Sequence, residues 1–101
     1  MDLRPRPLIV LASAAFEMDA AFAWYENRQP GLGTDFLRAC DAAFSAIARM
    51  PEAYRVIRPR VRRALLRRFP YMVFFRATDD RVVVLAVVHV RQSPDVWLFA
   101  R

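Results

Sequence analysis

The sequence has no lysine, only two glycines, a single cysteine and a single histidine. Two glycines are too few to build the glycine-rich loops that hold phosphate in Walker and dinucleotide-binding sites. Cys40 has no second cysteine with which to form an internal disulfide, and together with His89 it falls short of the usual set of zinc ligands. We therefore expect a protein that works without a nucleotide, a metal or another cofactor.

The sequence also lacks an apolar run long enough to cross a bilayer. Its N-terminus resembles a signal peptide, with Arg4 and Arg6 followed by apolar residues 8–11 and small residues 12–14. The apolar stretch is short for a signal peptide, however, and Asp2 lies in the segment that should be basic. With 101 residues, 56% of them hydrophobic and 26% charged, the chain is expected to form one domain over residues 1–101, in the cytoplasm and without a membrane partner.

Positive charge is unevenly distributed along the chain. Residues 1–52 contain five arginines against seven acidic residues, a net charge of −2, whereas residues 53–101 contain eleven arginines against three, a net charge of +8. No acidic residue occurs between Ala53 and Thr78. A half this basic favours an anionic partner, which could be RNA, DNA or an acidic protein segment. The alternative explanation is an arginine-rich proteome with a solvated basic face.

The first half of the chain predicts a strand followed by two helices. Residues 7–11 form a compact apolar run that is typical of a strand, and Ser13 is a plausible N-cap for a helix over residues 14–27. The segment 29–31, which contains Pro30 and Gly31, interrupts the pattern. A second helix is expected over residues 33–50, ended by Pro51. A connection this short predicts an antiparallel helical hairpin.

Both helices have apolar rows at helical spacing. In the second helix the row predicts a buried seam, in which Cys40 is a small core side chain rather than a nucleophile. The first helix has two rows, of which one is enough to cover a sheet. The other contacts the neighbouring helix or is left for a partner. The predicted seam consists of Leu37, Cys40, Phe44 and Ile47; the two rows are Phe16, Ala20, Ala23 and Trp24, and Met18, Phe22 and Tyr25.

The second half of the chain predicts an antiparallel meander. A short extended piece is expected over residues 54–58 and a strand over 60–66, whose imperfect alternation suggests a bulge. Residues 70–76 alternate, with Tyr71, Val73 and Phe75 on one face, and the apolar run 82–88 is typical of a central strand. The sequence therefore predicts an α+β fold, with a two-helix antiparallel hairpin packed on a three- to four-stranded antiparallel sheet.

Seven of the arginines lie between positions 55 and 68. On a strand they project with a period of two, so several of them can share a face, where guanidinium groups can grip phosphate through paired hydrogen bonds. The alternative is a charged edge strand that resists aggregation. We take as candidate residues for binding a target or a nucleic acid Arg60, Arg62, Arg63, Arg68, Tyr71, Arg91 and Trp97.

His89 lies at the end of the long apolar strand, and Arg91 is expected to face the same side. A histidine beside an arginine can act as acid or base in RNA cleavage, with the 2′-hydroxyl of the substrate as nucleophile. A histidine in this position is more often a structural hydrogen-bonding group. The two residues are candidate catalytic residues, and the sequence leaves open whether the protein is an enzyme.

An ordered set of short motifs between Leu8 and Trp97 resembles the RelE/ParE toxins of bacterial type II toxin–antitoxin modules, also described as plasmid stabilization proteins. No single motif is specific to this family. The ordered set of motifs, at this spacing and in a chain of this length, is specific to it. The motifs are Trp24-Tyr25-Glu26, Pro30-Gly31-Leu32-Gly33 with Phe36-Leu37, Ile47 with Pro51, Val61-Arg62-Arg63, Arg68-Phe69-Pro70-Tyr71, and Val84-Leu85-Ala86-Val87-Val88-His89 with Arg91.

The resemblance implies a growth-inhibiting toxin that a cognate antitoxin keeps silent, and it assigns Met18, Phe22 and Tyr25 as candidate antitoxin contacts. RelE-like members of the family cleave mRNA in the ribosome, whereas ParE-like members poison DNA gyrase. RelE-like members often carry an arginine where this chain has Tyr71, and a tyrosine or histidine near the position of Trp97. Because both positions differ here, the resemblance favours gyrase as the target; ribosome-dependent mRNA cleavage, or a non-toxic member that only binds its partner, are the alternatives.

Overall fold

A computed structural model describes residues 4–92 of the chain. The elements follow one another as β1 (Leu8–Val10), α1 (Ala12–Arg28), α2 (Leu32–Arg49), a 3-10 turn (Pro51–Ala53), β2 (Arg55–Arg58), β3 (Val61–Leu65), β4 (Tyr71–Ala77) and β5 (Val82–His89). The two helices pack on one face of the sheet, as the sequence predicts. We call this face the helix side of the sheet.

The sheet has five strands in the order β1-β5-β4-β3-β2, one more than the largest number predicted. Strands β2 to β5 form the expected antiparallel meander. The additional strand is β1, which pairs in parallel with residues 82–84 of β5. The helical hairpin supplies the long crossover that a parallel pair requires, so the first and last strands become neighbours. The sequence identified the strand but not its place in the sheet.

The turn between the helices is fixed by a side chain of α1. Gly31 takes the cap position of α2 with φ of +90°, in the left-handed region that glycine tolerates. Glu26 accepts hydrogen bonds from the backbone N–H groups of Gly31 and Gly33, at 2.9 and 3.0 Å. Its carboxylate thereby satisfies two donors at the helix N-terminus, where the dipole favours negative charge. The predicted cap at Ser13 is wrong, because α1 begins at Ala12, two residues before the predicted start, and Leu11 caps it without a side-chain hydrogen bond.

The main core lies between the hairpin and the sheet. Phe36, Cys40 and Ile47 of α2 are fully buried there, whereas Leu37 and Phe44 of the predicted seam are only half-buried. The seam is therefore rotated towards Phe36, because α2 packs against both α1 and the sheet. Cys40 is the small core side chain that was predicted, and burial raises the pKa of its thiol to about 12.

The alternation of β4 is confirmed, and it gives the sheet two apolar faces. Val73 and Phe75 join the core beneath the helices, whereas Met72 and Phe74 belong to a second buried cluster on the opposite face. The predicted bulge in β3 is wrong. Pairing shifts instead between Val56 and Arg58 of β2, and at Leu85 of β5.

Candidate functional site

The arginines of β2, β3 and β4 divide between the two faces of the sheet. Ala64 of β3 is buried beneath the helices, and Arg62, two residues earlier, lies on the same side. Arg63 pairs with Phe74 of β4 and Arg55 of β2, so it lies on the opposite face. Adjacent arginines on one strand therefore point to different environments.

The two arginines that approach the helices are held by the fold. Arg62 donates hydrogen bonds from Nη1 to the carbonyl oxygens of Tyr54, at 2.7 Å, and Glu52, at 3.4 Å. Arg68 forms an ion pair with Asp35 of α2 at 3.4 Å, and its guanidinium carbon lies 5.1 Å from the centre of the Phe69 ring. Both residues were candidates for binding a target, and both have internal partners in this structure.

Three other arginines are assembled on the face opposite the helices. Arg55 and Arg63 are direct cross-strand neighbours, and Arg76 follows Phe74 on the same face of β4. Within residues 4–92 none of the three forms an ion pair or a side-chain hydrogen bond, and no strand contains an acidic residue. We call Arg55, Arg63 and Arg76 the arginine face. Like charges directly opposite each other destabilise a sheet, so an anionic ligand that neutralises them would be bound favourably.

Arg60 and Arg91 lie in turns rather than on strands. Arg60 connects β2 to β3 with φ of +64°, and it is exposed. Arg91 follows the end of β5, so the strand alternation that predicted a shared face for His89 and Arg91 ends before it. The contact that joins the two residues involves the backbone of Arg91 and the side chain of His89, because the N–H of Arg91 donates to Nδ1 of His89 at 3.1 Å.

His89 lines a cavity of about 570 Å³ on the helix side of the sheet. Its ring meets the Tyr71 ring edge-on, with 5.3 Å between the ring centres. The bulge at Leu85 places it there, since one extra residue shifts the alternation and turns Val87 and His89 towards α1. The described residues that line the cavity are Glu17, Ala20, Ala21, Trp24, Tyr25, Pro70, Tyr71, Val87, Val88, His89 and Gln92.

Tyr71 belongs to an aromatic cluster rather than to a group of charged side chains. Its ring lies 5.0 Å from that of Phe36 and 6.1 Å from that of Tyr25. Burial is the main cause that raises the pKa of both tyrosines above their ordinary value, so their hydroxyls stay neutral. Trp97, the remaining candidate for target binding, lies outside the described residues.

The rows of α1 differ in exposure. Met18 and Tyr25 pack against the main core, and Phe22 contacts α2 so closely that a Cβ atom at Gly33 would lie 2.7 Å from its ring. The candidate antitoxin contacts thus take part in the hairpin. The exposed row is the other one, with Phe16 74% and Trp24 51% exposed. The guanidinium of Arg28 stacks on Trp24, 3.8 Å from the ring centre.

The candidate residues chosen from the sequence leave out three residues. These are Arg55 and Arg76 of the arginine face, and Glu17 of the cavity. Arg55 lies in the predicted arginine cluster and Arg76 on a predicted strand, but the face that each shares with Arg63 depends on the register between strands, which the sequence does not give. Glu17 gave no signal, because its partner, the backbone N–H of Val87, is 70 residues away along the chain.

Residues 4–92 contain neither a candidate metal site nor a candidate membrane span. No group of three histidine, cysteine, aspartate or glutamate side chains there is placed to hold a metal ion. None of the helices in this range is long and apolar enough to span a membrane.

Comparison with known proteins gives one family and one fold. The sequence profile of the family described as "ParE toxin of type II toxin-antitoxin system, parDE" matches residues 8–94. A solved structure described as "Chromosomal ParDE TA system from P. aeruginosa" superposes with a TM-score of 0.73 at 18% identity, covering 83% of this chain and 95% of that chain. At this identity the likeness establishes the shared fold. No curated protein sequence matches the chain.

Proposed function

The chain belongs to the ParE toxin family of type II toxin–antitoxin systems, and from this membership we propose that it arrests growth by inhibiting DNA gyrase in the cytoplasm. A cognate antitoxin, encoded beside it, keeps it silent until the antitoxin is lost. Inhibition proceeds by binding to the target rather than by cleavage of RNA. A module that works in this way stabilises the plasmid or chromosomal segment that carries it.

The main support for this proposal is that His89 and the arginine face lie on opposite sides of the sheet. Cleavage of RNA needs an acid or base and a cation that stabilises charge around the same phosphate. His89 lies on the helix side of the sheet, whereas Arg55, Arg63 and Arg76 lie on the other side. Nδ1 of His89 already accepts a hydrogen bond, and Arg62 is held by backbone carbonyls. This arrangement supports a binding surface more than a nuclease site.

We infer that the arginine face contacts the target. Guanidinium groups pair with carboxylates and phosphates through two parallel hydrogen bonds, and the groups of the arginine face have no such partner within residues 4–92. Because Arg55 and Arg63 repel each other in the free chain, an anionic ligand relieves that repulsion on binding.

Supercoiling by purified gyrase tests the proposal. The wild-type chain is expected to inhibit the reaction, and its induction in cells to trigger the DNA-damage response. Arg63→Ala should inhibit at least tenfold less strongly, whereas Arg49→Ala, which removes the same charge from the exposed end of α2, should act as the wild type does. Unaltered supercoiling in the presence of the wild-type chain would contradict a gyrase target.

Ribosome-dependent mRNA cleavage is the second candidate, and the titratable side chains that line the cavity with His89 favour it. Tyr71 and Glu17 line the same cavity, so two further side chains that can carry a proton are grouped there with His89. Primer extension on a translated message after induction should then show new ends within codons, and His89→Ala should abolish them. The third alternative is a non-toxic member of the family that only binds its antitoxin. Such a chain would neither cut mRNA nor affect gyrase, and its expression without the antitoxin would cause no growth defect.

A further inference from the structure

A fourth arginine lies beside the arginine face, in the turn between β2 and β3. Arg58 and Val61 pair across this turn, so its two residues are Pro59 and Arg60. Arg60 has φ of +64°, in the left-handed region where glycine is the less strained residue. It is exposed, and within residues 4–92 it forms neither an ion pair nor a side-chain hydrogen bond. A strained position that presents an unpaired charge points to a role in binding.

Arg60 and the arginine face are grouped around Val61. Arg60 precedes Val61 in the chain, and Arg63 follows it by two residues on the same face of β3. Continued by one residue, the register between β3 and β4 sets Val61 opposite Arg76, and Arg55 lies across from Arg63 on β2. Directly opposite positions in a sheet are about 5 Å apart and diagonal positions about 7–8 Å, so the positive charges lie close together.

The apolar residues between these arginines leave little surface for a protein partner. On this face of β3 and β4, Val61, Met72 and Phe74 are at most 5% exposed, whereas Leu65, at the far end of β3, is 62% exposed. A peptide that binds tightly needs apolar or aromatic anchors that become buried, in addition to charge. Apart from Leu65, the face offers charge without such a contact, and this favours a ligand that is recognised by its charge.

The phosphate backbone of double-stranded DNA is such a ligand. It carries one negative charge for about every 1.7 Å of helix axis, so a compact group of guanidinium groups meets several phosphates at once. Single strands are held mainly by stacking of their bases on exposed aromatic rings, whereas Phe74, the aromatic residue on this face of β4, is fully buried. The arrangement therefore fits a duplex better than a single strand.

We propose that Arg55, Arg60, Arg63 and Arg76 bind the phosphate backbone of double-stranded DNA, without preference for its sequence. This inference deepens the proposed function and rests on it, because DNA is the substrate of gyrase and the toxin then contacts the DNA that gyrase holds. Phosphate contacts position a protein on a duplex without reading its bases. Phosphates placed between Arg55 and Arg63 also relieve the repulsion between these two residues.

Fluorescence anisotropy of a mixed-sequence DNA duplex of about 20 base pairs tests this inference on the full chain, without gyrase, over a range of salt concentrations. If four phosphates are neutralised, the logarithm of the affinity should fall with the logarithm of the salt concentration with a slope of about 3–4. Arg63→Ala and Arg76→Ala should each lower that slope by about one and weaken binding about threefold or more. Arg49→Ala removes the same charge from the exposed end of α2 and should bind as the wild-type chain does.

The other outcomes overturn either this inference or the proposed function. An equal loss in Arg49→Ala would assign binding to the net charge of the chain rather than to this face. Poly-glutamate that competes as well as DNA at equal charge would assign the face to an acidic peptide, and tighter binding of duplex RNA would assign it to RNA. Inhibition of supercoiling without binding of the duplex would overturn the DNA site and leave gyrase as the target. Binding of the duplex with unaltered supercoiling would contradict the gyrase target and leave the DNA site in place.

Discussion

At the residue scale, Arg62 and Arg63 show how neighbouring identical residues acquire different functions. Arg62 closes the corner between the 3-10 turn and β2 by donating to two carbonyl oxygens, and its long side chain lies on the helix side. Arg63 lies opposite Arg55 on the other face of the sheet. The first residue contributes to stability, whereas the charge of the second repels that of Arg55 and costs stability.

Alanine substitutions should separate these two roles. Arg62→Ala removes the hydrogen bonds to Tyr54 and Glu52, and should lower the free energy of unfolding by about 1–2 kcal/mol. Arg63→Ala relieves repulsion from Arg55, so stability should stay level or rise slightly. Urea unfolding midpoints measure both effects. If Arg63→Ala proves the more destabilising of the two, the assignment of faces is wrong.

The ion pair between Arg6 and Glu52 makes stability depend on pH. Arg6 donates to the carboxylate at 2.7 Å, and this hydrogen bond is the main cause that holds the pKa of Glu52 below its ordinary value. A carboxyl whose pKa is lowered by folding stabilises the fold above its unfolded pKa, about 4.3, and that stabilisation disappears as pH falls through the folded pKa. Because the Glu52 side chain is 59% exposed, solvent screens the pair.

Glu52→Gln tests this linkage. At pH 7 the variant should be less stable than the wild type by under about 1 kcal/mol, and the difference should shrink towards zero below pH 3. Thermal unfolding at both pH values gives the comparison. A difference that stays undiminished in acid would show that the glutamine disturbs packing rather than charge.

At the scale of the element, single residues set the orientation of whole strands and helices. The extra residue Leu85 reverses the alternation of β5, so that Val84 and Val87 both face the helices and His89 enters the cavity. Without the bulge, His89 would lie on the same face as Arg63. The separation that argues against a nuclease therefore depends on one inserted residue.

The contact between α1 and α2 predicts an unusual response to Gly33→Ala. Helix propensity alone favours alanine over glycine by about 1 kcal/mol. Here a Cβ atom would lie 2.7 Å from both the ring and the carbonyl oxygen of Phe22, so the helices would have to separate. We expect a net loss of about 1–3 kcal/mol in unfolding free energy.

Thr34→Ala, at the next and exposed position, is the matched control and should stay within about 0.5 kcal/mol of the wild type. Chemical denaturation of the three proteins compares them directly. A Gly33→Ala variant more stable than the wild type would show that the hairpin is packed less tightly than its structure indicates.

At the scale of the whole molecule, burial and charge are segregated. The main core lies between the hairpin and the sheet, a second apolar cluster lies beneath the arginine face, and the acidic residues of the described chain lie on the helices and in turns. Three strand arginines, Arg55, Arg63 and Arg76, lie on the sheet face that the helices do not cover, and no acidic residue within residues 4–92 lies on a strand.

Because the core lies between the hairpin and the sheet, we expect alanine substitutions at two phenylalanines of α2 to lower the free energy of unfolding by different amounts. Phe36 is fully buried in the aromatic cluster with Tyr25, Phe69 and Tyr71, and Phe36→Ala should cost about 3–5 kcal/mol. Phe44 is half-buried, so Phe44→Ala should cost about half as much. Urea midpoints with unchanged slopes would measure the difference. Equal costs would contradict the rotated seam.

The sequence by itself determined the elements and the pattern within each of them. Apolar spacing identified both helices, and the alternation of Tyr71, Val73 and Phe75 placed their faces correctly, because periodicity is a local property of the backbone. Motif spacing was also sufficient for the family. The arginine cluster was visible, but its division between two faces was not.

Only the tertiary structure decided which groups meet. Two contacts join residues that are far apart in the chain: the pairing of β1 with β5, and the hydrogen bond between Glu17 and Val87. The orientation of His89 towards the helices depends on a single bulge in β5. A one-residue change of register exchanges the faces of a strand, and composition does not encode that register. The placement of His89 and the arginine face on opposite sides of the sheet was therefore settled by strand pairing, which arises only when the whole chain folds.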